Sequence, residues 1–203
     1  MSDSILTVIT PAPDRLLATA ADVAAQLGLS NPPPGIGPLI LRASDAIAGA
    51  CNGRVFGRET VRETFRLSCP LKPLMLARDR VHAIASVVVD GTTLVEGADF
   101  EVDGPAGLLH RLSGDARCAW RAAKVVVEYS AGWLLPSQDD SDLPGDVRGI
   151  CIDRAARAYL GQGEDLRIRS ESAEGVGNVS YFDPDKLSTP ELVALAPYHL
   201  YRL

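Results

Sequence analysis

The stretch Leu143-Pro144-Gly145-Asp146-Val147-Arg148-Gly149-Ile150-Cys151-Ile152-Asp153-Arg154-Ala155-Ala156-Arg157-Ala158-Tyr159-Leu160 is the clearest helix in the chain, and what flanks it limits the fold. Pro144 suits the first turn, where a missing N–H is no loss. Val147, Ile150, Cys151, Ala155, Ala158 and Tyr159 form the expected buried stripe, and Arg148, Arg154 and Arg157 face largely away from it. An apolar strand, Val125 to Tyr129, precedes the helix, followed by the turn Ala131-Gly132-Trp133 and a polar loop, Pro136 to Asp142. Gly161 and Gly163 end the helix. Leu166–Ser172 and Val176–Phe182 then read as an extended hairpin around Glu174-Gly175. Asp183-Pro184-Asp185 is a turn, and Thr189-Pro190-Glu191 opens a last short helix.

Two further helices come earlier. Asp14 and Thr19 are candidate N-caps for a segment over about 14–28 that closes on Gly28. Asn31-Pro32-Pro33-Pro34-Gly35 must be a loop, because proline removes backbone donors and fixes φ. A second helix runs over about 38–52, with Leu39, Ala43, Ala46, Ile47 and Ala50 at helical spacing and Asn52-Gly53 as its stop. From Thr60 the period changes to two. Val61-Arg62-Glu63-Thr64-Phe65-Arg66-Leu67 alternates, Ile84 to Val89 leads into the hairpin signal Asp90-Gly91, and Asp99 to Asp103 alternates again. Ile5 to Ile9 fits either a short strand or an arm. The expected architecture is α+β: a mostly helical body with an inserted subdomain of short antiparallel strands (about 60–130) and an extended C-terminal arm. Residues 1–163 would be the body, with its third helix over about 144–160, and 164–203 the arm.

Composition narrows the function classes. A chain of 203 residues with 46% hydrophobic and 23% charged residues can bury a core without staples. The formal charge of −6 argues against a protein that grips phosphate backbones. Cys51, Cys69, Cys118 and Cys151 are widely spaced and form no CxxC pair, so buried or half-buried thiols are expected rather than a zinc site. The N-terminus lacks the basic start and apolar run of a signal peptide, and the apolar runs fall far short of a membrane span.

No constellation points to catalysis. His82, His110 and His199 each stand alone. His110, Ser113 and Asp115 fall within six residues, whereas triads are assembled from separate elements. Gly35-Ile36-Gly37 and Gly175-Val176-Gly177 follow neither the P-loop nor the dinucleotide pattern and read as turns. Asp139-Asp140-Ser141-Asp142 lacks the EF-hand spacing and is expected to be a solvated loop that caps the next helix. Trp133 reads as a core anchor, with an interface role as the alternative. Tyr198, Leu200, Tyr201 and Leu203 make an apolar end that suggests docking, on the chain's own body or on a partner. No cofactor and no metal are expected.

The order of the motifs carries a resemblance. Asn52-Gly53-Arg54-Val55-Phe56-Gly57-Arg58 ends a small-residue helix. Glu63-Thr64-Phe65, Val87-Val88-Val89-Asp90-Gly91 and Gly107-Leu108-Leu109-His110-Arg111 follow. Then come Val125 to Trp133, Leu143 to Arg148, and Arg169-Ser170-Glu171-Ser172-Ala173-Glu174-Gly175-Val176-Gly177. Together they resemble the head–tail connector (adaptor) proteins of tailed bacteriophages and phage-like gene transfer agents, from the Pro38 helix to the C-terminus. Trp133, where a smaller or tyrosine aromatic is common, and the loop Pro136–Asp142 depart from the pattern.

The resemblance implies a non-catalytic structural protein of the virion neck, made in the bacterial host cytoplasm. It implies a twelve-fold ring beneath the portal protein, joined below to a stopper or tail-completion protein, with double-stranded DNA passing through unread. It places the arm, Leu166–Leu203, toward the portal, and the arm carries the candidates for binding the portal or a neighbouring subunit: Arg167, Arg169, Glu171, Val179, Tyr181, Phe182, Tyr198, Tyr201 and Leu203. The alternatives are another neck component, such as a stopper or head-closure protein, and a small enzyme of unknown reaction.

Overall fold

The computed structural model describes residues 3–121, 124–162, 170–173, 177–180 and 186–200, and these fall into two compact units. The first draws on 3–13 and 57–133, the second on 14–56 and 134–200.

The first unit is built of strands. β1 (Asp3–Thr10), β2 (Glu59–Arg66), β4 (Val81–Val89), β5 (Thr92–Thr93) and β9 (Lys124–Ala131) make an antiparallel sheet in the order β1-β2-β9-β4-β5. β3 (Leu74–Met75), β6 (Phe100–Asp103), β7 (Leu108–Ser113) and β8 (Ala116–Cys118) make a second sheet around β7. Alternation places the core. Val61 and Phe65 on β2 and Val125, Val127, Tyr129 and Ala131 on β9 point inward, meeting Leu74, Val87, Phe100, Leu109 and Trp120. The Trp120 indole N–H donates to the Leu109 carbonyl at 3.0 Å, so its polar edge is satisfied while its rings fill the core. The expected Asp90-Gly91 hairpin turn forms. Both residues have positive φ, 46° and 89°, as a two-residue turn between right-twisted strands requires.

The second unit is built of helices. α1 (Ala20–Gln26) opens on a capping box of Thr19 and Asp22. α2 (Ile36–Ala50) buries Ile36, Ile40, Ala43, Ser44 and Ile47. α3 (Gly145–Leu160) packs against both and buries Val147, Cys151, Arg154, Ala155 and Ala156. α4 (Thr189–Leu195), capped by Ser188 and Glu191, runs into a 3-10 turn, Ala196–Tyr198, and buries Leu195. Leu200, just beyond, is buried as well. Within the same chain range, β10 (Ser170–Ala173) and β11 (Gly177–Ser180) form a two-stranded antiparallel ladder.

The expected mostly helical body is overturned. Four α-helices stand against eleven strands among the described residues, and strand residues outnumber helical ones. The strand unit is also more than an insertion. β1 comes from the N-terminus and pairs with β2 from Asp3↔Arg66 onward. A short β-branched run is equally compatible with a free arm, and only the long-range ladder decides between them.

Three local expectations change with it. Arg154 is 2% exposed instead of solvent-facing. Ile150 is half-buried, and the stripe turns toward Ala156. Asp14 caps no helix; it accepts hydrogen bonds from the Arg15 and Leu16 amides in a turn, and α1 starts six residues later.

Candidate assembly interface

β1 is an edge strand, and it is unusually open for one. Its eight residues include no lysine, arginine or proline, the usual devices that blunt a sheet edge. Ile5, Val8 and Ile9 are 57%, 44% and 41% exposed. Only a register irregularity between Val8 and Thr10, followed by Pro11 and Pro13, ends the ladder. Among the described residues the other side of β1 pairs with nothing.

The strand is held firmly from beneath. The core-facing phase of β2 reads Glu59-Val61-Glu63-Phe65, with two carboxyl groups among apolar residues. Glu63 has no solvent exposure and is satisfied on three sides. It accepts from the Ser4 hydroxyl of β1 (2.7 Å), the Ala77 amide (2.9 Å) and the Tyr129 hydroxyl (3.0 Å). Tyr129 also accepts from the Arg78 amide, and Arg78 Nε donates to Glu59 at 2.6 Å. Burial and the adjacent Glu63 push the Tyr129 phenol far above its ordinary range, so it stays a protonated donor. A satisfied buried network of this kind fixes one arrangement of the strands. Glu63 sits in phase with Val61 and Phe65 in the sequence, which is the signal that could have found it.

In the second unit the C-terminal helix presents a second apolar surface. Leu192 and Val193 on α4 are 42% and 69% exposed. The rest of the segment is anchored. Arg154 Nη1 donates to the Lys186 carbonyl (2.9 Å) and to Glu191 (3.3 Å). Burial pushes the Glu191 carboxyl up, but the Ser188 hydrogen bonds with Arg154 and Arg157 outweigh it and leave it below its ordinary value. The Asn52 amide group donates to the Leu200 carbonyl at 3.2 Å, and Arg54 Nε to the Tyr198 carbonyl.

Of the expected partner-binding residues, Tyr198 is half-buried. Its hydroxyl donates to Asp146 in the first turn of α3 at 2.9 Å, and its ring lies tilted against Phe56. Glu171 and Val179 are backbone register partners in the β10–β11 ladder. Arg167, Arg169, Tyr181, Phe182, Tyr201 and Leu203 lie outside the described residues. Trp133 is buried, with the Arg80 guanidinium 4.9 Å above its ring. The loop before α3 closes on itself instead of capping the helix. Asp142 accepts from the Leu134 amide, the Ser141 hydroxyl donates to the Leu134 carbonyl, and Pro144 occupies the N-cap.

The chemistry elsewhere is sparse. A cleft of about 440 Å³ in the first unit is lined by Arg111, Cys118, Trp120 and Arg121 among others, with no carboxyl or imidazole in its lining. His110 lies on β7 opposite Glu101, and Ser113 ends that strand opposite Ala116. Among the described residues no three His, Cys, Asp or Glu gather within reach of one cation, and no helix is long and apolar enough to cross a membrane.

No protein-family model and no curated protein matches the sequence. Solved structures do resemble the fold. A chain from the neck of an empty GTA particle, computed with C6 symmetry, superposes with a TM-score of 0.53 at 16% identity, covering 98% of this chain and 97% of that one. A chain from the neck of a native GTA particle, computed with C12 symmetry, does so with a TM-score of 0.50 at 14% identity over the same shares. A third, from the virion of a native gene transfer agent (GTA) particle, has a TM-score of 0.46 at 16% identity. At these identities the likeness is one of fold, and it spans the whole chain.

Proposed function

We propose that this protein is a structural component of the neck of a tailed phage or gene transfer agent particle, and within the neck its head–tail connector (adaptor). The observation that carries the proposal is the end-to-end fold likeness to neck chains, 98% of this chain against 97% of that one. The motif order from the Pro38 helix to the C-terminus supports the adaptor assignment in particular. An open apolar edge strand and an exposed apolar helix face are what an assembling subunit needs. The symmetry reported for the neck particles favours several copies arranged in a ring, twelve in the connector reading. A ring joins each copy to the next through two different surfaces.

In this role the chain would sit beneath the portal protein and above a stopper or tail-completion protein, with double-stranded DNA passing through the ring. The acidic balance suits a channel in which DNA slides without being held. The role is non-catalytic. Cryo-electron microscopy of a particle neck tests the location directly. Copurification then separates the two neck roles. A connector binds portal protein alone, whereas a stopper or head-closure protein binds only once a connector is present. Failure to bind portal alone would remove the connector assignment.

A further inference from the structure

Resting on the neck-ring reading above, we propose that neighbouring copies join head to tail by strand addition: the open edge of β1 in one copy takes the β10–β11 ladder of the next. Two incomplete pieces of sheet carry the inference. The first is β1, eight residues long, with Ile5, Val8 and Ile9 exposed and one side of its backbone unpaired among the described residues. Pairing with β2 and the hydrogen bond from Ser4 to the buried Glu63 hold this edge in place before any partner arrives. The second is the ladder itself, four register pairs from Ser170↔Ser180 to Ala173↔Gly177, which has no third strand among the described residues. A lone two-stranded hairpin is marginal in water, and a third strand supplies the hydrogen bonds it lacks.

Ring geometry favours this pairing over joining β1 to itself, and strand length favours it over the shortest edges. Joining β1 to β1 is a two-fold contact that closes a dimer and leaves no way to extend around a ring. β5 and β3 have two residues each and β8 has three, fewer than the four of β10 or β11. The start of β6 is taken up by its own turn, where Gly97 donates to the Phe100 carbonyl at 2.8 Å. β10 and β11 contain no proline, so every residue can donate to a ladder.

The test is disulfide trapping in assembled particles, in a Cys69→Ser background that removes the exposed native thiol. One population carries a single cysteine in β1 (Ile5→Cys, Thr7→Cys or Ile9→Cys), the other a single cysteine on either strand of the ladder (Ser170→Cys or Ser172→Cys on β10, Asn178→Cys or Ser180→Cys on β11). Mixed assembly followed by mild oxidation should give a covalent dimer of the two kinds for at least one pair. Chains carrying one β1 and one ladder cysteine should give a covalent ladder extending around the ring. A separate Ile5→Lys/Ile9→Lys variant should stay folded by circular dichroism and lose most ring incorporation, because edge charges oppose strand addition. A crosslink confined within one chain, no crosslink for any pair in rings that form, or normal incorporation of the lysine variant would each overturn the inference and leave the neck role standing. Particles whose necks lack this chain altogether would instead overturn the neck role.

Discussion

The Ser4 hydroxyl donates a 2.7 Å hydrogen bond to Glu63, a side chain with no solvent exposure, and so fixes the outermost strand of the main sheet to the interior of its own unit. Glu63 also holds Tyr129 and the Ala77 amide. Replacing Glu63 with Leu leaves these donors buried without an acceptor, which costs about 2–5 kcal/mol. Glu63→Gln, which keeps one acceptor oxygen, should cost less. Urea unfolding of the three proteins checks the order. Hydrogen exchange should show the β1 amides losing protection first in the Leu variant. A Leu variant as stable as the parent would mean the network contributes nothing.

The C-terminal helix should prove part of the second unit. Leu195 and Leu200 are buried, and Arg154 donates to the Lys186 carbonyl and to Glu191. Ending the chain before Ser188 removes both leucines, and Arg154→Met removes the bonds alone. The substitution should cost about 2–4 kcal/mol, since it leaves Lys186 and Glu191 short of a donor. That is roughly 4–16 °C in Tm for a chain of this size. The truncation should lower Tm further. A truncated protein that melts with the parent would show that the segment is a separable arm.

Acid should loosen the helical unit through two of its carboxyl groups. Burial pushes the Asp22 carboxyl up, but hydrogen bonds from Arg148 and Thr19 together bring it below its ordinary 3.8. Glu191 lies below its ordinary 4.5 for the reasons given above. A carboxyl depressed in the folded state stabilises fully above its unfolded value and loses that contribution as pH falls through it toward the folded value. From these two groups stability should therefore be flat from about pH 5.5 to neutrality and fall steadily below the ordinary carboxylate values. Thermal melts at stepped pH check this. In Arg148→Met the decline should be shallower, because Asp22 then has less to lose.

The thiols should divide by burial. Cys69 is exposed and Cys118 half-buried, whereas Cys51 and Cys151 are enclosed. Burial pushes the Cys51 thiol up, and Cys151 up to about 11, so little thiolate forms near neutral pH. A thiol reagent should label Cys69 first and Cys118 more slowly in the native protein. The other two should react only in denaturant. Fast labelling of Cys151 in the folded state would contradict its position between α2 and α3.

Several things about this protein were determined by sequence alone. Local rules suffice where a residue's neighbours in the chain decide its conformation. Asp90-Gly91 had to turn because both residues tolerate positive φ. The alternation of Val61, Phe65, Val125 and Val127 had to form half-buried strands, and the helical period of 145–160 had to bury Val147 and Cys151. Other features belonged to the tertiary structure, because they depend on partners far away in the chain. Ile5 to Ile9 became an edge strand only through pairing with residues some sixty positions later. Arg154, which helical periodicity assigned to solvent, is drawn inside by a carbonyl and a carboxylate more than thirty residues away. The same holds for the open edge of β1. Periodicity tells a strand from a helix, but which side of a strand is left unpaired is a property of the finished sheet, and it is that unpaired side that makes this chain a candidate for assembly.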